Sequence, residues 1–176
     1  MIQAAGRDEL PSFFAYLNDH LGDNGTDGTA LFMPMGRGAS FFPPDKEAAF
    51  RTGIDTPLSQ SGWRRLWLAL GEDGEIAGHI DLRARPEMPS AHRVLLGMGV
   101  HRAARQRGLG TRLVDTALAW AEGEAFDWID LEVLSVNQPA RLLYARCGFT
   151  QVGEIADMFR IDGETLGYTF MTRKLR

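Results

Sequence analysis

Apolar positions in the N-terminal third of the chain come in two textures. Leu10, Phe13, Phe14 and Leu17 recur at intervals of three and four, which is the spacing of one helix face, and predict an amphipathic helix over residues 8–20. Residues 22–44 have no period. Gly22, Gly25, Gly28, Gly36 and Gly38 alternate there with Pro34, Pro43 and Pro44, which reads as loop. Yet Leu31, Phe32, Met33, Met35, Phe41 and Phe42 make this loop too apolar to hang in water, so it is expected to pack on the body of the protein. Asp45 is placed as the N-cap of a second helix running through Glu47 and Phe50.

From Arg64 onward the period changes to that of strands. Residues 64–70 and 75–84 read as a hairpin across Gly71 to Gly74, 85–90 with Pro86 and Pro89 as a surface loop, and 93–101 as a further strand. A helix follows over 108–123, where Leu109, Leu113, Ala117, Trp120 and Ala121 hold helical spacing. Then come a strand at 128–134, a helix at 138–147 and two strands near 149–157 and 166–175. Interleaved helices and strands in this order make an α/β (α+β) chain, and no repeat or domain-scale linker divides it, so residues 1–176 read as one domain.

Composition narrows the function classes. With 44% hydrophobic and 24% charged residues the chain is an ordinary globular protein, and its net charge of −4 argues against general nucleic-acid binding. Cys147 is the only cysteine, which excludes an internal disulfide and a thiolate metal cluster. Its place beside Gly148 reads as a small helix-end residue rather than a nucleophile. His20, His79, His92 and His101 are scattered without metal-ligand spacing, so no metal site is expected. The N-terminus carries acidic residues without an apolar core, and no apolar run is long enough to span a membrane, which predicts a cytoplasmic location.

The candidate chemistry starts at Gly99 to Leu113, which delivers a strand, a basic glycine-containing turn and a helix start in that order. Amide hydrogens in the first turn of a helix have no intrahelical acceptor, and the helix dipole leaves positive charge there, so a pyrophosphate is stabilised. Gly108 and Gly110 have no Cβ, so the backbone can come close to phosphate oxygens. On that pair alone an ordinary strand-to-helix turn explains the glycines equally well. The stretch is neither a P-loop, because no lysine and hydroxyl residue follow the second glycine, nor a dinucleotide fingerprint, because the third glycine is missing.

A second segment decides between these readings. Asn137, Ala140 and Tyr144 lie on one helical face ahead of Gly148 and Phe149, about 30 residues after Arg105, Gly108 and Gly110. Together the two segments resemble the GNAT superfamily of N-acetyltransferases, whose signature is Arg or Gln-x-x-Gly-x-Gly or Ala followed by Asn-x-x-Ala-x-x-x-Tyr and Gly-Phe. The resemblance covers residue 64 to the C-terminus. It implies a GNAT-like fold, a central mixed, mostly antiparallel, splayed sheet of six to seven strands flanked by about four helices.

It also implies an enzyme of the acyltransferase class that moves the acetyl group of acetyl-CoA directly to a primary amine of a small molecule or peptide, without a covalent intermediate or a metal. A non-catalytic acyl-CoA sensor is the alternative. The coenzyme core is expected at residues 92–149, with Met98, Gly99, Val100, Arg105, Gln106, Arg107, Gly108, Leu109, Gly110, Thr111, Asn137, Ala140 and Tyr144 touching acetyl-CoA. In the family the strand before the phosphate turn is splayed by a bulge, and Gly97 and Gly99 suit that arrangement. The resemblance makes Tyr144 the acid for the departing thiolate. Glu132 is the candidate base, because family members that acetylate protein N-termini carry Leu-Glu-Val twelve residues before the tyrosine, as Leu131 to Val133 does here. The loop at 22–44 is expected on the acceptor side, and its aromatic and Met content points to an apolar or amphipathic amine. A homodimer is compatible with all of this.

Overall fold

The computed structural model describes residues 1–176. Seven strands form one sheet in the order β1-β2-β3-β4-β5-β7-β6: β1 (Ile2–Ala5), β2 (Arg64–Leu70), β3 (Ile76–Ala84), β4 (Arg93–Val100), β5 (Trp128–Leu134), β6 (Thr150–Ile161) and β7 (Glu164–Lys174). Every neighbouring pair is antiparallel except β4 with β5. Four helices flank it: α1 (Leu10–Gly22), α2 (Pro44–Gly53), α3 (Leu109–Gly123) and α4 (Gln138–Arg146).

The two faces of the sheet are buried by different means. On one, Leu113, Val114, Ala117 and Ala121 of α3, with Tyr144 of α4, pack on Ile80, Leu82, Val94, Leu96, Ile129 and Leu131. On the other, Leu10, Phe13, Phe14 and Leu17 of α1, with Phe50 of α2, pack on Leu66 and Leu68. Residues 23–43, between α1 and α2, carry no strand or helix, and they do pack: Leu31 is buried against Leu134, Ile161 and Leu166. Asn24, fully buried, organises this loop by accepting from the amides of Phe32 and Met33 at 2.8 and 2.9 Å and donating to Met33 O and Ser40 Oγ.

Three local expectations are corrected. Asp45 does not cap α2; Pro44 opens the helix, since a first-turn residue loses nothing by lacking an amide hydrogen, and Asp45 sits inside the first turn without a capping bond. β1 was not expected, because four residues carry no readable alternation and the strand exists only through pairing with β2. The last hairpin is longer than expected. Asp162 and Gly163 both take positive φ, 52° and 79°, and this Asp-Gly turn was a legible signal for continuous strands on either side of it.

Candidate active site

β4 and β5 are joined only through Arg93↔Trp128, Val94↔Ile129 and Leu95↔Asp130; beyond that point they part and leave a wedge-shaped gap. β3 and β4, by contrast, keep unbroken register from Gly78↔Val100 to Ala84↔Val94. The bulge expected at Gly97 and Gly99 is therefore absent, and the splay lies wholly on the β5 side. His101 N donates to Ala77 O at 3.0 Å, so by antiparallel alternation the odd-numbered residues of β4 bond to β3 while Met98 and Val100 turn their peptide groups into the gap. Gly99 is buried, with its backbone turned away from the gap.

The two strand glycines have a different reason, which only the tertiary structure reveals. A Cβ on Gly99 would lie 2.7 Å from His20 Nε2 and 2.7 Å from His79 Cε1, and one on Gly97 would lie 2.7 Å from Asp81 Oδ1. Side chains from α1 and β3 cross β4 at these positions. His20, His79 and His101, far apart in sequence, gather around Tyr16 with ring centroids 5.8, 5.5 and 6.4 Å away. Tyr16 OH donates to Gly99 O at 3.3 Å and lies 3.3 Å from His79 Nδ1. His20 is stacked between Tyr16 and Phe32, and its Nδ1 is buried without a partner. Burial pushes both His20 and His79 down to about 3 from their ordinary 6.5, with further lowering from neighbouring positive charge, so both rings are neutral.

At the open end of β4 the chain makes a tight turn into α3. Gln106 and Gly108 take positive φ, 62° and 75°, and Gln106, Arg107 and Gly108 are exposed. The amide of Arg112 is the first of the helix to find a carbonyl, Gly108 O at 3.2 Å. The amides from Gln106 to Thr111 donate to no protein group, and six successive free donors at a helix N-terminus form an anion-binding concavity. A diphosphate fits this donor set. Arg105, expected to touch acetyl-CoA, is turned inward: its Nε donates to Val100 O at 3.1 Å, Nη1 to Thr29 Oγ1 at 3.1 Å and Nη2 to Asp23 at 3.4 Å. It ties the end of β4 to the 22–44 loop. Arg107 remains free at the turn. Gly110 is small for helix packing, since a Cβ there would meet Leu143 Cδ2 at 2.8 Å and Met98 Cε at 3.6 Å, so β4, α3 and α4 converge on it.

α4 starts as the sequence suggests. Asn137 Oδ1 accepts from Ala140 N at 3.3 Å, and Pro139 occupies the first turn. Ala140 and Leu143 are half-buried against the core, and Tyr144 is buried with its ring edge-on to Phe149 at 5.8 Å. Burial raises the Tyr144 pKa well above that of a free phenol, with Cys147 and Asp81 adding to the effect, so the hydroxyl keeps its proton at neutral pH. Cys147 is buried too, and burial raises its thiol pKa, which works against a nucleophilic role.

Asp130 and Glu132 share one face of β5, yet their environments are opposite. Asp130 is buried and accepts from Arg85, Arg93 and Thr172; burial pushes its pKa up, but hydrogen bonds from Arg93, Thr172 and Arg85 hold it below the usual carboxylate range. Glu132 is exposed, two residues past the last β4–β5 pair, beside Tyr168. Burial, followed by the charge and hydrogen bond of Glu132, raises Tyr168 to about 12.

The parted strands, the donor-lined turn and the α4 face together match a known family. Residues 37–149, more than half of the chain, match the model of the acetyltransferase (GNAT) family. The chain belongs to this family. Among curated relatives, the 5-NmdU N-acetyltransferase of Pseudomonas phage PaMx11 is 32% identical over 97 residues, covering 54% of this chain and 66% of that protein, just under two thirds of its length. Among solved structures, a GNAT-family acetyltransferase from Streptococcus pneumoniae superposes with TM-score 0.79 at 21% identity, over 100% of this chain and 99% of that one. A phosphinothricin acetyltransferase from Sinorhizobium meliloti, solved in complex with AcCoA, gives TM-score 0.79 at 19% identity, over 99% and 88% of the two chains. The splayed mixed sheet is thus the GNAT fold, as the sequence resemblance implied. No helix is long and apolar enough to cross a membrane.

Proposed function

We propose that the protein moves the acetyl group of acetyl-CoA directly to an amine. The observation that carries this reading is the continuity of one groove: the Met98 peptide groups and the Val100 amide, turned into the β4–β5 gap, lead to the unpaired amides of Gln106 to Thr111. Bound there, acetyl-CoA supplies a thioester; the amine nitrogen bonds to its carbonyl carbon, the carbon–sulfur bond breaks, the sulfur takes a proton and the nitrogen loses one.

Each residue has a distinct task in this scheme. The amides at the α3 start hold the pyrophosphate, and Met98 and Val100 pair with the amide-bearing arm as a neighbouring strand would. Asn137 caps the start of α4, the helix that carries Ala140 and Tyr144. Tyr144, protonated because it is buried, gives its proton to the departing sulfur. Glu132 takes a proton from the amine, which with a pKa of about 10.4 for a lysine-like group is otherwise too rarely neutral to attack.

Thiol release from acetyl-CoA, followed across an amine panel that includes 5-NmdU as the acceptor named for the phage relative, tests the assignment. Tyr144→Phe should lower kcat by about 10²–10⁴ while calorimetry shows unchanged acetyl-CoA affinity. Absence of acetyl-CoA binding, or a variant as fast as the parent, overturns it, and binding without turnover for every amine points instead to a coenzyme sensor.

A further inference from the structure

On the sheet face that carries Glu132, a cavity of about 540 Å³ opens over β5 and the adjoining ends of β6 and β7, in the size range of small-molecule sites. Its lining is divided by charge. At one end Arg85 donates through Nε and Nη2 to Asp130 Oδ2 at 3.0 and 2.8 Å, and Arg93 through Nε to the same oxygen at 2.8 Å and through Nη2 to Oδ1 at 2.5 Å. Thr172 Oγ1 lies 2.6 Å from Asp130 Oδ1. The carboxylate is therefore saturated, whereas the two guanidiniums are not: Asp130 is 8% exposed, Arg85 29% and Arg93 26%, and each arginine has an Nη1 that donates to nothing in the protein. Two cations against one anion leave a positive charge in excess. Arg93 also lies over the Trp128 ring at 4.6 Å, with Lys174 Nζ at 5.9 Å from the same ring, so that end carries no balancing acid beyond Asp130.

The other end is Glu132, two strand residues further on, or roughly 6.6 Å along β5. The apolar part of the lining is shared between the ends: Trp128 lies beyond Asp130 at the arginine end, Phe170 lies across from Glu132 on β7, and Val152 of β6 adds to the wall. A ligand that answers both ends has a cation next to Glu132, an oxyanion next to Arg85 and Arg93, and an apolar body between them. A plain amine leaves the arginine end unanswered, and a polyamine is repelled from it.

We propose that this cavity receives the acceptor and selects amines that carry a carboxylate or phosphate-type oxyanion, with Arg85 as the specificity-determining residue. The proposal rests on the acetyl-transfer reading, because Glu132 meets the amine only if that amine is the nucleophile.

The test compares para-aminomethylbenzoate, its methyl ester, benzylamine and the matching aminomethylphenyl phosphonate as acceptors in thiol release from acetyl-CoA. The acid and the phosphonate should exceed the ester and benzylamine by about tenfold to hundredfold in kcat/KM, the size of a charge-assisted hydrogen bond. The stronger of the two names the oxyanion. In Arg85→Gln, where Arg93 and Thr172 still hold Asp130, KM for the acid should rise until it matches the ester, with acetyl-CoA affinity unchanged by calorimetry; Arg85→Lys should recover part of the preference. Should Arg85→Gln not fold, the parent's preference and its weakening in Arg85→Lys decide the matter. Equal turnover of acid and ester by the parent, or a preference untouched in Arg85→Gln, overturns the proposal. No thiol release with any amine, or no heat with acetyl-CoA, instead brings down the acetyl-transfer reading beneath it.

Discussion

The groove between β4 and β5 and the side of the molecule that carries the 22–44 loop are built on opposite principles. The groove is made by one nearly continuous stretch, β4 through α4, and most of its polar groups are left unsatisfied: the Met98 peptide groups and the Val100 amide facing the gap, six free amides from Gln106 to Thr111, and an exposed turn. The other side is assembled from α1, the 22–44 loop, β3, β5 and the β6–β7 hairpin, and its buried carboxylates and Asn24 are already paired, although His20 Nδ1 and the Nη1 groups of Arg85 and Arg93 are not. Asp130 has three donors, Asp81 is bonded by Arg64 and Arg83, and Asn24 uses both ends of its amide. Open donors suit a ligand with many phosphate oxygens, because binding then creates hydrogen bonds without breaking protein ones. Saturated networks suit a surface that must hold its shape to choose among acceptors.

Perturbing the two sides should separate stability from coenzyme affinity. The largest effect is expected for Asp130→Asn, which strips a buried carboxylate from two arginines: about 3–5 kcal/mol in urea unfolding, with acetyl-CoA affinity of the folded protein unchanged. A loss below about 1 kcal/mol would make Asp130 a surface pair and erase the contrast.

Mild acid comes next. His20 and His79 hold pKa values of about 3 when folded, against 6.5 when free, so the unfolded chain takes up protons that the folded one refuses. The stability they contribute is complete above 6.5 and is lost as pH falls toward 3, at about 1.4 kcal/mol per pH unit for each ring. Unfolding free energies measured at about pH 7.5 and about pH 5.5 should differ by about 3 kcal/mol, and His79→Gln should halve that difference. A flat profile would mean that the rings are hydrated rather than buried.

Gly99→Val drives a side chain into His20 and His79 and should cost about 1–3 kcal/mol in thermal or urea unfolding. If it instead weakened acetyl-CoA binding with no loss of stability, Gly99 would belong to the groove and not to the histidine cluster. Gly108→Ala is the mildest. Nothing lies within 4 Å of the added methyl, so only the positive φ of 75° is penalised, by about 1–2 kcal/mol, and the free amides stay in place. Acetyl-CoA affinity should fall by less than about tenfold, which calorimetry reads directly.

The contrast between the two sides also accounts for what could be read ahead of the structure. The groove was legible because its parts are local: Gly108 stands at the start of a helix a few residues after a strand ends, Asn137 caps the next one, and the ordered spacing of Arg105, Gly108, Gly110, Asn137, Ala140 and Tyr144 carries the family resemblance. Where a residue's role depends on what crosses it, the reading went astray. Gly97 and Gly99 suggested a bulge, but β4 stays in register and the glycines make room for Asp81, His20 and His79. Arg105 sits in the signature, yet Asp23 and Thr29 turn it inward. Asp130 and Glu132 look alike on one strand face, and only the arrival of Arg85 and Arg93 separates a buried anchor from an exposed candidate base.

The amino-acid pattern by itself determined the succession of helices and strands after β1, the donor-rich turn before α3 and membership in the GNAT family, because each depends on neighbours a few residues apart. Tertiary structure alone decided where the sheet parts, which carboxylate is buried, and how three distant histidines meet around Tyr16. Those outcomes come from burial and charge pairing between segments that the chain brings together only once it has folded.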